Sequence, residues 1–373
     1  MTDYHRIVVK IGTSSLTGGS KKLNLPHVTA LAQQISTLMD QGRQIALVSS
    51  GAIAVGRERL DYPDLPKSIP GKQMLAAVGQ PRLMAVYDQL FGIYGRGVAQ
   101  VLLTREDIND RKRYLNARAT LEALLDHGVV PVINENDTVA TDEIRIGDND
   151  NLSALVANLI EADLLVLLTD QVGLFSADPN KDPSAGLIEQ IDTPEISEAI
   201  WKAAGGSRTG LGIGGMLTKL QAAETARRSG TQVVIAKGDL PEVLIRLVKD
   251  ERIGTLILPA VDKLESRKRF MLAGASSRTF IKMDEGAAKA LLAGGSLLPV
   301  GVTGTQGNFE RGDIVKVKDP EGKDCAIGLS NYSVADLQKI KGRRSSEIEI
   351  LLGYAYGDEI IHHNNMTILA GKK

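Results

Sequence analysis

The sequence is poor in several features that mark common classes of protein. Its 373 residues include a single cysteine, Cys325, which excludes an intrachain disulfide framework and a cysteine-rich metal site and favours a reducing compartment. Residues 1–6 lead into a strand-like segment without the long apolar stretch of a signal peptide or a membrane span. We therefore expect a cytoplasmic protein that makes no membrane contact.

The sequence also lacks an excess of charge of either sign. Lys and Arg number 44 against 45 Asp and Glu, so no global positive field would drive nonspecific binding to nucleic acid. The composition is ordinary for a folded protein, because 43% of the residues are hydrophobic and 24% are charged. The length exceeds the roughly 250 to 300 residues that one hydrophobic core usually serves, which predicts two domains.

The N-terminal part alternates short apolar runs with longer segments of helical periodicity. Predicted strands are residues 6–11, 44–49, 98–103, 129–133, 164–169, 232–236 and 254–258. Predicted helices include residues 27–40, 115–126, 151–161 and 216–229. This pattern is typical of a mainly parallel sheet covered by helices on both faces. Since ligands bind at the carboxyl ends of strands in such sheets, the polar residues at those ends are the candidates for function.

The composition and the pattern of the sequence change after Pro259. Residues 263–269 are a charged run, and turn signals then alternate with short strand-like segments. We therefore predict an α/β domain over residues 1–260, a linker over residues 261–276 and a compact β-rich module over residues 277–373. The tail of this module, from His362, is polar.

A lysine near the end of the first predicted strand is the first candidate for chemistry. Lys10 precedes a turn in which Gly12 allows a ligand to approach closely, and Thr13 and Ser14 offer donors to phosphate oxygens. Because an unpaired ammonium is costly in a buried strand, the alternative is an edge position with the amine reaching solvent. The motif alone favours neither interpretation.

A similar turn of small residues follows the second predicted strand. The helix that begins after Ser50 and Gly51 would present backbone amides to an anion such as a substrate carboxylate. The alternative is a tight turn that needs Gly51 for backbone reasons. Taken alone, the backbone interpretation is the better one.

The densest polar segment follows the fourth predicted strand. It contains Asn134, Asp137, Asp148, Asn149 and Asp150, whose acids repel one another unless a cation or hydrogen-bond donors lie among them. A ligand with an ammonium group would satisfy them, although such residues also cap helices. The spacing lacks the glycine and the terminal glutamate of an EF-hand calcium loop. We favour a ligand site.

Two further segments suit a nucleotide. Thr169 and Asp170 end the fifth predicted strand, where they can contact a nucleotide. Three glycines within residues 210–215 match the letters GxGxxG, but no strand directly precedes them, so a dinucleotide fingerprint is not supported. We interpret them as a mobile flap over phosphates, with Lys219 projecting from the next helix. The chain has no GxxxxGK[ST] element and so is not a P-loop enzyme.

Taken in order, these segments resemble the amino acid kinase family, and within it the members that act on glutamate. The motifs that carry the resemblance are VVKIGTSSLTGG, VSSGAIAVGR, PVINENDTVAT, GDNDNLSALVA, LLTDQVGLFSADP and GIGGMLTKLQAA. They span nearly the whole N-terminal domain, and the charged linker with GNFERGDIV resembles a C-terminal PUA module. The resemblance implies an open αβα sandwich with a mainly parallel central sheet, followed by a small β-rich PUA domain.

The resemblance also implies roles for individual residues. Catalytic roles fall to Lys10, Lys219 and Asp150, where the acid orients two lysines that contact the phosphates of ATP. Substrate-binding positions are Ser50, Gly51, Asn134, Asp137, Asp148 and Asn149. ATP-binding positions are Lys10, Thr13, Ser14, Thr169, Asp170, Ile213, Gly214, Gly215, Met216, Leu217, Thr218 and Lys219. The loop of residues 205–208 departs from typical members in being slightly longer.

The implied reaction is the ATP-dependent phosphorylation of the γ-carboxylate of L-glutamate to L-glutamyl 5-phosphate, the first step of proline biosynthesis. Mg²⁺ would arrive with ATP, and no residue is assigned to bind a metal. Further expectations are a homodimer or homotetramer, feedback inhibition by proline and an association with glutamyl phosphate reductase. RNA binding by the PUA module is not expected, because Phe309 and Tyr332 are the only aromatic residues in its central part.

Several alternatives stay open at this point. Other members of the family act on N-acetylglutamate, aspartate or carbamate, and the acids and amides of residues 134–150 favour a substrate with a free ammonium over one with an acylated amine. A different class of protein, RNA-binding or regulatory, would have the C-terminal module as its dominant part. A dehydrogenase would bind nicotinamide, which we do not expect.

Overall fold

The chain forms two compact units, which are known from a computed structural model that describes residues 3–62, 68–140, 149–179, 181–205, 215–263, 271–272 and 279–369. The first unit comprises Met1–Ile108 and Ala117–Asp262, and the second comprises Asn109–Asn116 and Lys263–Lys373. No sequence pattern indicated that residues 109–116 group with the second unit. The predicted linker, residues 261–276, lies largely outside the described residues, and its limits stay a prediction.

An eight-stranded sheet forms the centre of the first unit. Its strands are β1 (Arg6–Ile11), β2 (Gln44–Ser49), β3 (Val98–Leu103), β4 (Val130–Glu135), β5 (Leu164–Thr169), β6 (Gln190–Ile191), β7 (Gln232–Lys237) and β8 (Thr255–Ile257). Their order across the sheet is β3-β4-β2-β1-β5-β7-β8-β6. Neighbouring strands are parallel except at β7 and β8, which pair antiparallel. The predicted mainly parallel sheet is confirmed.

Ten helices accompany this sheet among the described residues of the chain up to residue 263. They are α1 (Thr13–Thr17), α2 (Leu25–Asp40), α3 (Ala52–Arg59), α4 (Ile69–Gly92), α5 (Arg105–Asn109), α6 (Arg111–Asp126), α7 (Asn149–Leu159), α8 (Glu198–Ala203), α9 (Met216–Arg227) and α10 (Val243–Val248). Helix α2 begins two residues earlier than predicted, because Asn24 accepts a hydrogen bond from the backbone N–H of His27 and Pro26 fits the first turn.

The side chains on the two faces of β1 contact different helices, because side chains alternate across a strand. Ile7, Val9 and Ile11 belong to a buried apolar core that also includes residues of α2, α4 and α10. On the other face, Lys10 reaches α7, which packs against α9. The lysine of the first motif therefore points away from the main apolar core.

Helix α4 is the element that the sequence patterns did not reveal. It runs for 24 residues with Pro81 in its interior, and an internal proline normally predicts the end of a helix. It packs closely on α3, since a Cβ atom at Gly79 would lie 1.8 Å from the carbonyl oxygen of Ala52. Glycine at residue 79 thus lets the two helix backbones approach more closely than any side chain would permit.

The second unit contains a separate five-stranded sheet with the order β10-β9-β11-β12-β13. Its strands are β9 (Phe280–Met283), β10 (Val302–Gln306), β11 (Ile314–Lys318), β12 (Asp324–Leu329) and β13 (Met366–Ile368). Its further helices are α11 (Glu285–Leu292), α12 (Val334–Ile340) and α13 (Ile348–Leu352). Phe309 and Tyr332 lie buried in its core. The predicted β-rich module is confirmed.

Helices of the described part of the chain were also compared with the thickness of a bilayer. None of them combines the length and the apolar composition that crossing a membrane requires.

Candidate functional site

The polar strand ends of the first unit meet at one edge of the sheet. Strands β1, β2, β4 and β5 are mutually parallel, so their carboxyl ends lie side by side. Helices α1 and α3 begin directly after β1 and β2, and the first turns of α7 and α9 contact the same edge. The sequence segments predicted to carry chemistry are therefore neighbours in space.

Two lysines and one aspartate form a buried ion cluster at this edge. Asp150 Oδ1 lies 2.6 Å from Lys10 Nζ, and Asp150 Oδ2 lies 3.2 Å from Lys219 Nζ. All three residues are buried, with exposed fractions of 5% for Lys10, 5% for Asp150 and 9% for Lys219. The amine of Lys10 consequently does not reach solvent in the way that the alternative interpretation of the motif required.

The cluster carries an excess of positive charge. Its two ammonium groups and one carboxylate sum to a charge of +1. Burial by itself would raise the pKa of the Asp150 carboxyl, but the charges of Lys10 and Lys219 and hydrogen bonds from Lys10 and Thr218 lower that pKa. Asp150 is thus ionised at neutral pH. A buried site with net positive charge is stabilised by a bound anion.

The first turn of α9 joins this cluster through Thr218 as well. The Thr218 hydroxyl lies 2.7 Å from Asp150 Oδ2 and 3.0 Å from the carbonyl oxygen of Gly215. Lys219 Nζ lies 3.3 Å from the same carbonyl. Met216 and Leu217 belong to this turn and Gly215 precedes it, whereas Ile213, Gly214 and the other predicted flap residues within 206–214 lie outside the described residues.

A second set of contacts links amide side chains. Asn149 Nδ2 lies 2.9 Å from both Ser50 Oγ and Asn134 Oδ1, and 3.3 Å from the carbonyl oxygen of Ser49. Asn134 Nδ2 in turn donates to Gln80 Oε1 over 2.9 Å. Strand β4 extends two residues beyond its predicted end, so Asn134 belongs to the strand rather than to the loop. Gly51 has φ of +102°, which agrees with the predicted tight turn.

Two residues of this region, Gln80 and Tyr87, were missed by sequence reasoning. Gln80 and Tyr87 lie two turns apart on α4, and Tyr87 Oη lies 2.7 Å from Ser49 Oγ at the end of β2. Burial raises the pKa of Tyr87 far above its ordinary value, although the hydrogen bond with Ser49 opposes the shift. Tyr87 therefore stays neutral. The available signal, the helical spacing of residues 80 and 87, was hidden because α4 itself was not recognised.

Asp137 belongs neither to the ion cluster nor to the contacts among the amide side chains. It helps to line a pocket of about 240 Å³ together with Gln80, Gln100 and Glu135. Burial raises the pKa of the Asp137 carboxyl to about 6. Its ionisation would therefore be completed only near neutral pH, where a nearby ammonium group would favour the charged form. Asp148, predicted beside it, lies outside the described residues.

The predicted nucleotide residues lie at the same sheet edge but differ in exposure. Thr13 and Ser14 are exposed at the start of α1. Thr169 is buried, and its hydroxyl donates to the exposed Asp170 over 3.0 Å. Among the described residues, no group of three or more His, Cys, Asp or Glu side chains is arranged to hold a metal ion.

The ion cluster also changes the interpretation of the acidic segment. The sequence suggested that the acids of residues 134–150 needed a ligand's ammonium group, but the carboxylate of Asp150 is already paired with Lys10 and Lys219. Within the described part of that segment, the carboxylates of Glu135 and Asp137 both line the pocket, and Asp137 is the more exposed of the two.

Comparisons with known proteins agree across both units. The sequence profile of the Amino acid kinase family matches residues 5–237, and that of the PUA domain matches residues 280–352. A protein named Glutamate 5-kinase from Shewanella amazonensis is 53% identical over 367 residues, which cover 98% of this chain and 96% of that protein. Another of the same name, from Aliivibrio fischeri, is 52% identical over 369 residues, covering 99% of this chain and 100% of that protein. A solved structure of UMP kinase from Bacillus anthracis aligns with a TM-score of 0.46 and 16% identity over 70% of this chain and 98% of that one.

Proposed function

Because the chain belongs to the amino acid kinase family, we propose that it transfers the γ-phosphoryl group of ATP to the side-chain carboxylate of L-glutamate. The product is L-glutamyl 5-phosphate, and the reaction is the first step of proline biosynthesis from glutamate. The resemblance predicted from the motifs, including the PUA module, is confirmed.

The observation that carries this proposal is the buried ion cluster. Lys10 and Lys219 both contact Asp150, so two ammonium groups meet at the carboxyl ends of the strands. The phosphates of ATP are attracted to such a pair of cations, and the transferred phosphoryl group carries negative charge throughout the reaction. Asp150 would hold the two ammonium groups on either side of the group in transfer.

The chemistry requires positioning rather than proton transfer. The side-chain carboxyl of glutamate has an ordinary pKa of about 4.3, so it is already an ionised nucleophile at neutral pH and needs no general base. The carboxylate and the ATP phosphates repel each other, and the two lysines offset that repulsion. This accounts for a site built from lysines and amides without a histidine.

The substrate ATP would enter as its magnesium complex. We propose that Thr13, Ser14, Thr169 and Asp170, together with residues 213–219, contact the nucleotide. Mg²⁺ would arrive with ATP and neutralise part of the charge of the phosphates.

The part of the site that contains Asn134 and Asn149 would bind glutamate. We propose that Ser50, Gly51, Asn134, Asn149 and the neighbouring acids surround the amino acid. Asn149 Oδ1 is buried and has no hydrogen-bond partner among the described residues, so it suits a substrate that carries N–H donors. Asp137 would pair with the ammonium group, and Asp148 is proposed from the family resemblance alone.

The activity is tested by supplying the purified chain with Mg·ATP and each candidate acceptor in a coupled ADP-release assay. We expect turnover with L-glutamate and little with N-acetylglutamate, aspartate or carbamate. Hydroxylamine should trap the acyl phosphate as a hydroxamate, which distinguishes transfer to a carboxylate from hydrolysis of ATP. Faster turnover with N-acetylglutamate than with glutamate would contradict the proposal.

Replacing Asp137 with asparagine should weaken glutamate binding specifically. Losing a charged hydrogen bond is expected to raise the KM for glutamate about 10- to 100-fold, with a smaller change in the KM for ATP. In the unchanged chain, kcat/KM for glutamate should rise with pH through about 6 and level off near neutral pH, because the carboxylate form binds the ammonium group and burial raises the pKa of Asp137 to about 6.

Initial rates over a range of both substrates, measured as a function of pH, check this expectation. The Asp137→Asn variant should lack the inflection near the pKa of Asp137. The exposed Asp192, which lies elsewhere in the first unit, provides the control variant Asp192→Asn with unchanged kinetics. Equal effects of Asp137→Asn on the two KM values would argue against a substrate-side role.

We further propose how the enzyme operates in the cell. It would act in the cytoplasm as a homodimer or homotetramer, with proline as a feedback inhibitor, and would pass its unstable acyl phosphate to glutamyl phosphate reductase. RNA is not proposed as a partner of the PUA module, because the sequence has no excess of positive charge that would drive such binding. A structural or regulatory part is proposed for the module instead.

A further inference from the structure

Four amide side chains form a continuous line from the edge of the sheet to the ion cluster. Gln80 Nε2 donates to Gln100 Oε1 over 3.0 Å, and Gln80 Oε1 accepts from Asn134 Nδ2 over 2.9 Å. Asn134 Oδ1 accepts from Asn149 Nδ2 over 2.9 Å. Every bond in this line therefore has the same direction. Asn149, its last member, adjoins Asp150 in the first turn of α7.

Two backbone contacts identify which atom of each amide is the oxygen and which is the nitrogen. The N–H of Glu135 is a donor only, and it lies 2.9 Å from the Asn134 side-chain atom, which must be the oxygen. The carbonyl of Ser49 is an acceptor only, and it lies 3.3 Å from the Asn149 side-chain atom, which must be the nitrogen. The remaining polar atom of each amide follows from these assignments. Gln80 accordingly presents an oxygen to Asn134 and a nitrogen to Gln100.

The line ends on an unused acceptor. Asn149 is 9% exposed, and its Oδ1 atom is buried without a hydrogen-bond partner among the described residues. A buried acceptor of this kind needs a donor. Of the groups that distinguish an amino acid from a simple dicarboxylate, the ammonium group is the one that donates hydrogen bonds.

We infer that Gln80 is a positioning residue that makes the site select an acceptor substrate with a free ammonium group. The inference rests on the proposed function, because it takes the substrate to be an amino acid held at Asn149. By accepting from Asn134 Nδ2, Gln80 holds the Asn134 amide in the orientation that engages Asn149 Nδ2. Asn149 can then offer only its oxygen to the substrate.

Removal of the Gln80 acceptor would leave Asn134 Nδ2 without that partner at a residue that is 2% exposed. A buried donor in this situation turns toward another acceptor, and Asn149 Oδ1 is the unused acceptor of the line. The Asn134 amide would then compete with the substrate's ammonium group for that oxygen. We therefore expect the variant to bind the ammonium group of the substrate more weakly and to bind the phosphates of ATP as before.

The test uses the purified full-length chain with Gln80→Met and Gln80→Glu. Methionine keeps the length of the side chain without its acceptor, whereas glutamate keeps the acceptor for Asn134, and the exposed Gln100 can turn its own amide to donate to it. Gln80→Met should raise the KM for glutamate about 10- to 100-fold and leave kcat and the KM for ATP little changed. Gln80→Glu should restore most of the glutamate affinity.

Glutarate, which has both carboxylates of glutamate and no ammonium group, isolates the effect. The ratio of kcat/KM for glutamate to that for glutarate should fall in Gln80→Met by about the same factor as the glutamate KM rises. Gln89→Met, at an exposed glutamine of the same helix, is the matched control and should behave as the unchanged chain. Thermal melting verifies that each variant folds, and Gln80→Leu replaces Gln80→Met if the latter does not.

The outcomes separate the two claims. The role of Gln80 is overturned, and the proposed function stands, if the unchanged chain turns over glutamate and Gln80→Met has the same KM for glutamate. The same conclusion follows if Gln80→Met lowers kcat/KM for glutamate and for glutarate by the same factor. A KM for glutamate as high in Gln80→Glu as in Gln80→Met would also overturn the role of Gln80. Absence of any glutamate-dependent turnover in the unchanged chain would overturn the proposed function and the inference with it.

Discussion

Replacing Lys10 with alanine is expected to lower kcat by about 100- to 1000-fold, the usual effect of removing one group that stabilises charge in a transition state. Lys219→Ala should have an effect of similar size. The reason is that Lys10 and Lys219 flank the same carboxylate within 3.2 Å, so each would face the phosphoryl group from its own side. Neither lysine can substitute for the other's position.

Both variants are expected to remain folded. In either one, Asp150 keeps the other lysine and the hydroxyl of Thr218 as partners, so no buried carboxylate is left without a countercharge. Steady-state kinetics with circular dichroism checks the pair of expectations. The control is Lys181→Ala, because the Lys181 side chain is 85% exposed. Near-normal turnover in Lys10→Ala or Lys219→Ala would refute the catalytic assignment.

Replacing Asp150 with asparagine should damage activity and stability together. The change keeps the shape of the side chain but leaves two buried ammonium groups without their shared carboxylate. Breaking a buried ion pair by removing one partner typically costs about 3 to 5 kcal/mol of folding free energy. We also expect kcat to fall at least about 100-fold, because Lys10 and Lys219 would repel each other and lose their alignment.

Denaturant unfolding at neutral pH measures the loss of stability. The neighbouring charges keep the pKa of Asp150 low in the folded protein, so its contribution is present above the ordinary aspartate pKa and is lost only as the pH falls through the lowered value. The stability difference between the unchanged chain and Asp150→Asn should therefore be constant across the neutral range. Added ATP should stabilise the variant more than the unchanged chain, since its phosphates supply the missing negative charge.

An exposed ion pair provides the comparison for Asp150→Asn. Glu251 pairs with Arg246 at the surface of the first unit, and Glu251→Gln should change stability far less than Asp150→Asn, because exposed ion pairs contribute little. If Asp150→Asn changed the free energy of unfolding and kcat as little as Glu251→Gln does, the ion cluster would have neither a structural nor a catalytic role.

The order of the motifs was sufficient to predict the fold class, because most of the apolar runs are buried strands and four of the polar groups lie at strand ends. Lys10, Ser50, Asn134 and Thr169 were found in this way. The failure to recognise α4 has one physical origin: Pro81 interrupts its helical pattern, and a proline that is tolerated inside a packed helix cannot be recognised from local propensity. With α4 unrecognised, Gln80 and Tyr87 carried no signal.

The partners of the charged residues were likewise beyond local reasoning. Lys219 and Asp150 are 69 positions apart in the chain, and only the packing of α7 against α9 brings them together. The residue types alone suggested that Asp150 could help to neutralise a ligand's ammonium group, whereas the family resemblance assigned it to orient the two lysines, and the structure pairs it with both. The residues of the predicted flap, 206–214, and Asp148 lie outside the described residues, so their roles stay predictions.

By itself, the sequence determined the family, the parallel sheet and the presence of a lysine near the end of the first strand, since these depend on residue types and their local order. Tertiary structure alone decided that Lys10 is buried, that it shares Asp150 with Lys219 and that the amide line through Gln80 ends on Asn149. The physical reason is that the charge state and the hydrogen-bond direction of a buried group depend on its neighbours in space. Those neighbours come from strands and helices far apart in the chain.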